Sequence, residues 1–522
     1  MRTTGATPSE AARVDSRRFV IAILVVGAAI VAGLMTLAYP LWGIVCTLAA
    51  VVGALVLRHP DVASYVVIFL LYSNVAVVAT RFHGVPKIMA SAFPLLLVFP
   101  LVRDMVLRRR GAVVTPALPF IALLFAVQFF GALFARHEAV ARAAIVEFML
   151  EGVLVYILIT NVVRTPRTLK MAVWALLLAG VVCSVVPFYQ QLTGTFHHHY
   201  GGFGQTSETA FRTGEFAQHG EVRQFRACGT LDEQNRFAQN MLMLLPLGLF
   251  LFLNERTRRK RFVVLALTSF AGIGFLLAFS RGGAVALALV LMVMTLMRLI
   301  ALRHVAVLGL VMVVGLVAMP QYWTRLASLG DVSLLVAGSE TNERKPDSAM
   351  TGRLTEMVAA ALVFADHPVI GVGPRMFKYY SQEYGNRLGI RKLKEGRKAH
   401  SLYLEVAAES GTLGLLSFFG MIFVTLTGLV VTRRRAFGES GRGLDGSGEE
   451  SSCEAKDREM ANLATGFLLA LIGYLACGIF LHLSYIRFFY LILALASATT
   501  AIARKQRHTL QASDLANGEI AT

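Results

Sequence analysis

The sequence predicts an all-α protein, a polytopic transmembrane bundle of about 12–14 spans with a large, partly helical loop outside the bilayer. Three observations predict it. Of the 522 residues, 56% are hydrophobic and only 16% charged, against about a quarter charged in soluble domains; mean hydropathy is +0.62. Apolar runs of roughly 18 to 22 residues, long enough to cross a bilayer as helix, recur along the chain. Lys and Arg concentrate in every second short connection.

Taken in order, the runs fall near 19–38, 41–57, 62–79, 88–107, 117–134, 145–163, 168–189, 237–253, 262–279, 283–301, 304–320, 402–431, 461–482 and 484–503. The first is too long for a signal h-region and lacks a small-residue cleavage site, so it reads as an anchor. The basic connections hold Arg13, Arg17 and Arg18; Arg58; Arg103 with Arg108 to Arg110; Arg164, Arg167 and Lys170; Arg256 to Arg261; Arg298 and Arg303; Arg433 to Arg435; and Arg504 with Lys505. The alternate short connections are poorer in positive charge, although 80–87 and 135–143 are not free of it. This alternation predicts an even number of spans with both termini in the cytoplasm.

The chain thus divides into N-terminal spans (1–189), an outer loop (190–236), central spans (237–320), a large outer loop (321–401), C-terminal spans (402–503) and a cytoplasmic tail (504–522). The insert at 436–460 is rich in Gly, Ser and charge and reads as a disordered cytoplasmic loop, as does the tail. The formal charge of +18 records topology rather than nucleic-acid binding. Cys46, Cys183, Cys228, Cys453 and Cys477 are scattered and odd in number, which argues against a disulfide framework. No internal repeat points to a transporter with inverted halves.

The stretch from Thr351 to Gly414 is too polar to span and too structured to be a linker. Leu354, Met357, Val358, Ala361, Leu362 and Ala365 recur with helical period, predicting an amphipathic helix. Ser348 or Thr351 can cap its start, and His367-Pro368 ends it. Gly371-Val372-Gly373-Pro374 then forces a turn, and His400 stands just before the next apolar run.

Three places expected on the outer side carry chemistry: Arg226-Ala-Cys-Gly-Thr-Leu-Asp-Glu-Gln-Asn235, Phe279-Ser-Arg281-Gly282-Gly283, and Ala399-His400-Ser401. An arginine in a hairpin between apolar helices needs a partner or water, and it can equally snorkel to lipid phosphate. The glycines after Arg281 let backbone amides approach an anion at a helix start. Two guanidinium forks suit a diphosphate. His400 titrates near neutrality and is the natural proton handler. Glu405 and Glu409 follow it at i, i+4 and can orient a histidine or arginine. Glu147 and Glu151 form a similar pair without an evident task. His197, His198 and His199 are adjacent and lack the spaced co-ligands of a metal site; no P-loop, G-x-S-x-G or H-E-x-x-H is present.

These pieces together, R-A-C-G-T-L-D-E-Q-N-R-F-A, F-S-R-G-G, H-P-V-I-G-V-G-P and A-H-S-L-Y-L-E-V-A-A-E-S-G-T-L-G, resemble the O-antigen ligase and Wzy-like polymerase superfamily over roughly residues 220–430. The resemblance implies a GT-C-type inner-membrane glycosyltransferase with a periplasmic site, needing no metal or other cofactor. Its donor would be an undecaprenyl diphosphate-linked glycan, and its acceptor a hydroxyl of lipid A-core or of a growing glycan. It implies that Arg226 and Arg281 hold the diphosphate and that His400 is the general base, inverting the anomeric centre. Asn235, Gly282, Gly283, Arg353, Glu405 and Glu409 would support them. Nucleic acid is not an expected partner; membrane lipids are. The chain departs from the family in Gln234-Asn235, where Pro-Asn is frequent, and in His400-Ser401, where His-Asn is frequent. The alternatives are a polymerase using the same donor and, from another class, a transporter or flippase of lipid-linked glycans.

Overall fold

Pro and charge decide where the apolar runs become helices. The computed structural model describes residues 51–211 apart from 88–89 and 91–92, 222–303 apart from 302, 348–388, 396–439, 452–481 and 486–520. The expected spans at 19–38 and 304–320, most of 41–57, and Arg13, Arg17 and Arg18 lie outside these residues. Helices α1 (Asp61–Ser73) and α2 (Val75–Phe82) form an apolar pair bent by 57°, with left-handed Asn74 at the bend. The run at 88–107 is not one helix. Pro94 and Pro100 each remove a backbone donor, and the chain passes through a 3₁₀ turn, a short α segment and a π turn over Phe93–Leu107.

Helix α3 (Leu118–Leu133) is short, and α4 (Glu138–Val162) carries a π segment at Phe148–Leu154. Helix α5 (Pro166–Thr193) opens on a capping box between Thr165 and Thr168, a reciprocal pairing that satisfies two otherwise orphan groups. A two-stranded antiparallel hairpin, β1 (Gln205–Phe211) and β2 (Val222–Gly229), interrupts the helices. Then follow α6 (Gln234–Asn254), α7 (Arg258–Leu277), α8 (Arg281–Leu296), α9 (Ser348–Asp366), α10 (Phe377–Leu388), α11 (Leu402–Glu439), α12 (Ser452–Gly478) and α13 (Ile486–Ile520). Among the described residues seven helices are long and apolar enough to cross a membrane, eight with the bent α1–α2 pair. Two further apolar helices, α3 and α8, are shorter. The all-α polytopic class holds; the hairpin is its one exception here. Helix α12 is the centre, with 83% of its apolar window buried, whereas α7 buries 28% and lies at the edge.

Three expectations differ from the described helices. The insert 436–460 is shorter than expected, since α11 continues to Glu439 and α12 begins at Ser452. The tail is helical to Ile520. The apolar face expected on α9 is also displaced: Leu354 is 50% exposed, while Thr355, Glu356, Ala359, Ala360 and Val363 are buried. Small side chains let α9 sit close to the bundle.

Charged groups gather at the two ends of the bundle, as the alternation of basic loops requires. At one end Arg103 bonds Asp61 at 2.5 Å, Lys170 bridges Glu255 and Glu459, and Arg433 reaches the Met297 carbonyl. At the other end Arg81 pairs with Asp232, Arg375 with Glu147, and Arg487 with Glu151 and Asn74. The two glutamates without an evident task, Glu147 and Glu151, thus hold the large loop and α13 to α4.

Candidate active site

The site is assembled at the second end, from three separate stretches. Strand β2 turns at Gly229, whose φ is +60°; a Cβ there would meet the Cys183 carbonyl oxygen at 2.5 Å. Only glycine suits both the conformation and the space. The turn delivers Glu233 as the N-cap of α6, accepting from the amides of Asn235 and Arg236. Asn235 is thereby fixed as a junction. Its amide donates to Glu233 at 2.7 Å, and its oxygen accepts from Arg226 at 3.0 Å and from the Ser280 hydroxyl at 3.0 Å.

Ser280 is itself the cap of α8, accepting from the Gly283 amide. Arg226 also donates through Nε to the Ala278 carbonyl at 2.9 Å. So the first two sequence motifs meet through Arg226, Asn235 and Ser280, and Arg281 starts α8 beside them. A Cβ on Gly283 would lie 3.0 Å from Phe275 and 3.3 Å from Ala238. That glycine serves close helix packing as well as the helix start. Gly282 faces Phe480 at ordinary contact distance.

The third motif arrives on α11. The stretch His367 to Pro374 docks against a break in that helix at Gly411, where φ is 63° and ψ −163°. Val372 and Gly373 donate to the carbonyls of Ala408 and Glu409, and Thr412 and Leu413 donate back to those of Pro368 and Val369. The Glu409 carboxylate closes the dock, accepting from the amides of Arg375 at 2.8 Å and Phe377 at 3.2 Å. Its observed role is therefore in the scaffold. The dock fixes the first turns of α11, with His400 just before them in a left-handed conformation at φ 49°. Non-glycine residues adopt that conformation sparingly and often at functional positions.

His400 Nε2 lies 3.3 Å from the Oε2 of Glu356, a carboxylate that is 2% exposed and whose other oxygen faces Arg397 at 3.5 Å. Sequence reasoning missed Glu356. Its signal is a lone acid on the alanine-lined side of α9, where a buried charge requires a partner. Burial, then the charges of Arg353, Arg397, Lys398 and Arg236, push the His400 imidazole down to about 4, despite the nearby carboxylate. Burial also lowers Arg226 to about 10, opposed by Glu233 and reinforced by Arg353 and Arg281. Arg353 is thus common to the surroundings of Arg226 and of His400, which joins the diphosphate candidates to the base candidate. Glu405 lies within electrostatic reach of Lys398.

The result is a neutral imidazole beside a buried carboxylate, within electrostatic reach of four cations. Such a cluster can receive a multiply charged anion and a hydroxyl beside it. Among the described residues no cluster of His, Cys, Asp and Glu has metal-site geometry; His197 and His198 lie against the rings of Phe225 and Tyr200.

Residues 264–419 match the family model described as O-antigen ligase. The matched segment contains Arg281, Arg353, Glu356 and His400. Arg226 and Asn235 lie outside it in sequence and join it through the contacts above. No curated protein matches the chain.

Proposed function

We propose that this chain, whose residues 264–419 match the O-antigen ligase family, is a membrane glycosyltransferase. It moves a glycan from an undecaprenyl diphosphate carrier to a hydroxyl of lipid A-core on the outer face of the inner membrane. The carrying observation is that Arg353 lies in the electrostatic surroundings of both His400 and Arg226, the latter also within reach of Arg281.

In this reading Arg226, Arg281 and Arg353 bind the diphosphate. Neutral His400 donates its Nε2 proton toward Glu356, which leaves the Nδ1 lone pair for the acceptor hydroxyl. The acceptor oxygen attacks the anomeric carbon, its proton passes to Nδ1, and the sugar–phosphate bond breaks with its electron pair on the diphosphate. The arginines stabilise that charge as it develops, the usual source of most rate acceleration in such sites. A single in-line displacement inverts the anomeric centre. Glu356 keeps the imidazole in one tautomer and steadies the imidazolium as it forms.

The test is transfer by purified protein from an undecaprenyl diphosphate-linked oligosaccharide, with and without lipid A-core. Glycan on the core supports the ligase reading, whereas longer glycan on the carrier without core moves the assignment to polymerase. A donor untouched under both conditions overturns the transferase reading.

A further inference from the structure

A second feature lies at the opposite end of the bundle, where α11 and α13 run side by side. A cavity of about 380 Å³ opens between them, closed on one side by Pro116 at the start of α3. On α11 its wall is Val424, Thr427, Gly428 and Val431, and then Arg435. On α13 it is Thr500 and Ala503, and then Arg504 and Arg507. Each spacing follows the i, i+3, i+4, i+7 repeat that keeps one helix face toward one groove.

On both helices the lining changes in the same direction, from small or apolar residues to arginine. Among the described residues no acidic residue lines the groove. Gly428 sets the approach of the helices, since a Cβ there would lie 3.0 Å from Thr500 Cγ2. From Val424 to Arg435 the helix climbs roughly 16 Å at about 1.5 Å per residue, close to half the hydrocarbon thickness of a bilayer. Arg435 and Arg504 are exposed at that depth limit and Arg507 is half-buried. Arg433 is engaged elsewhere, on the Met297 carbonyl.

We propose that this groove binds an anionic phospholipid of the leaflet facing this end, with one acyl chain along Val424 to Val431 and the phosphate between Arg435, Arg504 and Arg507. Polarity along the groove matches polarity along such a lipid. Three guanidinium groups, with no acid among the described lining residues, favour a net negative headgroup over a zwitterionic one. A free phosphate ion shares the headgroup chemistry and would not need the apolar wall.

Native mass spectrometry of the full chain in detergent, titrated with phosphatidylglycerol, phosphatidylcholine or inorganic phosphate, tests the proposal. Wild type is expected to retain phosphatidylglycerol, and the triple variant R435Q/R504Q/R507Q to lose on the order of a hundredfold in affinity. Val431→Trp, which fills the groove and leaves the arginines in place, is expected to lose retention as well. Undiminished retention in either variant overturns the site, and competition by inorganic phosphate overturns the lipid assignment. Should the triple variant elute as aggregate, Val431→Trp and the phosphate competition decide the matter alone.

Discussion

In the proposed reading His400 and Glu356 carry the chemistry at the residue scale, and the titration of His400 makes it measurable. His400 is held near about 4 by burial and four cations, so the acid limb of kcat/KM, which reports free enzyme, is expected near that value rather than near the ordinary 6.5. A bound diphosphate counters those cations, and the acid limb of kcat is expected at higher pH. Coincident limbs in the ordinary histidine range would contradict this electrostatic picture. The same depression ties stability to pH. Between about 4 and 6.5 the unfolded chain binds the proton that the folded chain refuses, so stability falls as pH drops through that window. Glu356→Gln retains shape and removes the charge. It is expected to lower kcat by roughly ten- to a hundredfold with little change in KM, and to shift the kcat profile. A KM effect alone would make Glu356 a packing residue. Arg281 and His400 stand out in the sequence because each sits at the edge of an apolar run, and Arg226 because it opens the polar motif that leads into the next one. Glu356 was not, since it hides on a face whose period is set by alanines.

At the element scale the decisive unit is the dock between residues 367–374 and the break in α11. A Cβ at Gly411 would lie 2.3 Å from the Val369 carbonyl, whereas one at Gly396 would meet nothing within 4 Å, although φ is positive at both. Gly396→Ala therefore tests left-handed strain alone, about 1 kcal/mol, and transfer should persist. Gly411→Ala adds a backbone collision, and thermal unfolding in detergent is expected to show the larger loss together with loss of transfer. Equal losses in the two variants would mean that the dock does not position His400. The turn at Gly371 to Pro374 was readable from composition, but not that it plugs a broken helix, because pairing between distant backbone groups leaves no local pattern. The hairpin was missed for a related reason. Two strands lack the repeated alternation that marks a larger sheet.

At the scale of the whole molecule, the alternation of basic connections anticipated two charged ends, and the described ion pairs gather accordingly. Helix length was less legible. Proline-broken segments and short helices such as α3 and α8 read as full spans by hydropathy alone. The account puts Asn386 on the outer side and Arg259 in the cytoplasm; both are exposed. With the five native cysteines replaced by alanine, Asn386→Cys is expected to react with an impermeant maleimide in intact cells and Arg259→Cys only after lysis. The reverse pattern would invert the topology and remove the site from its substrate.

In the proposed mechanism the cations bind the donor while His400 performs proton transfer. Single-turnover transfer by wild type, Arg281→Ala and His400→Ala, each checked for monodispersity and paired with donor binding, tests it most directly. His400→Ala is expected to bind donor normally and lose roughly 10²- to 10⁴-fold in rate, while Arg281→Ala loses both binding and rate. Wild-type turnover by His400→Ala would contradict the account.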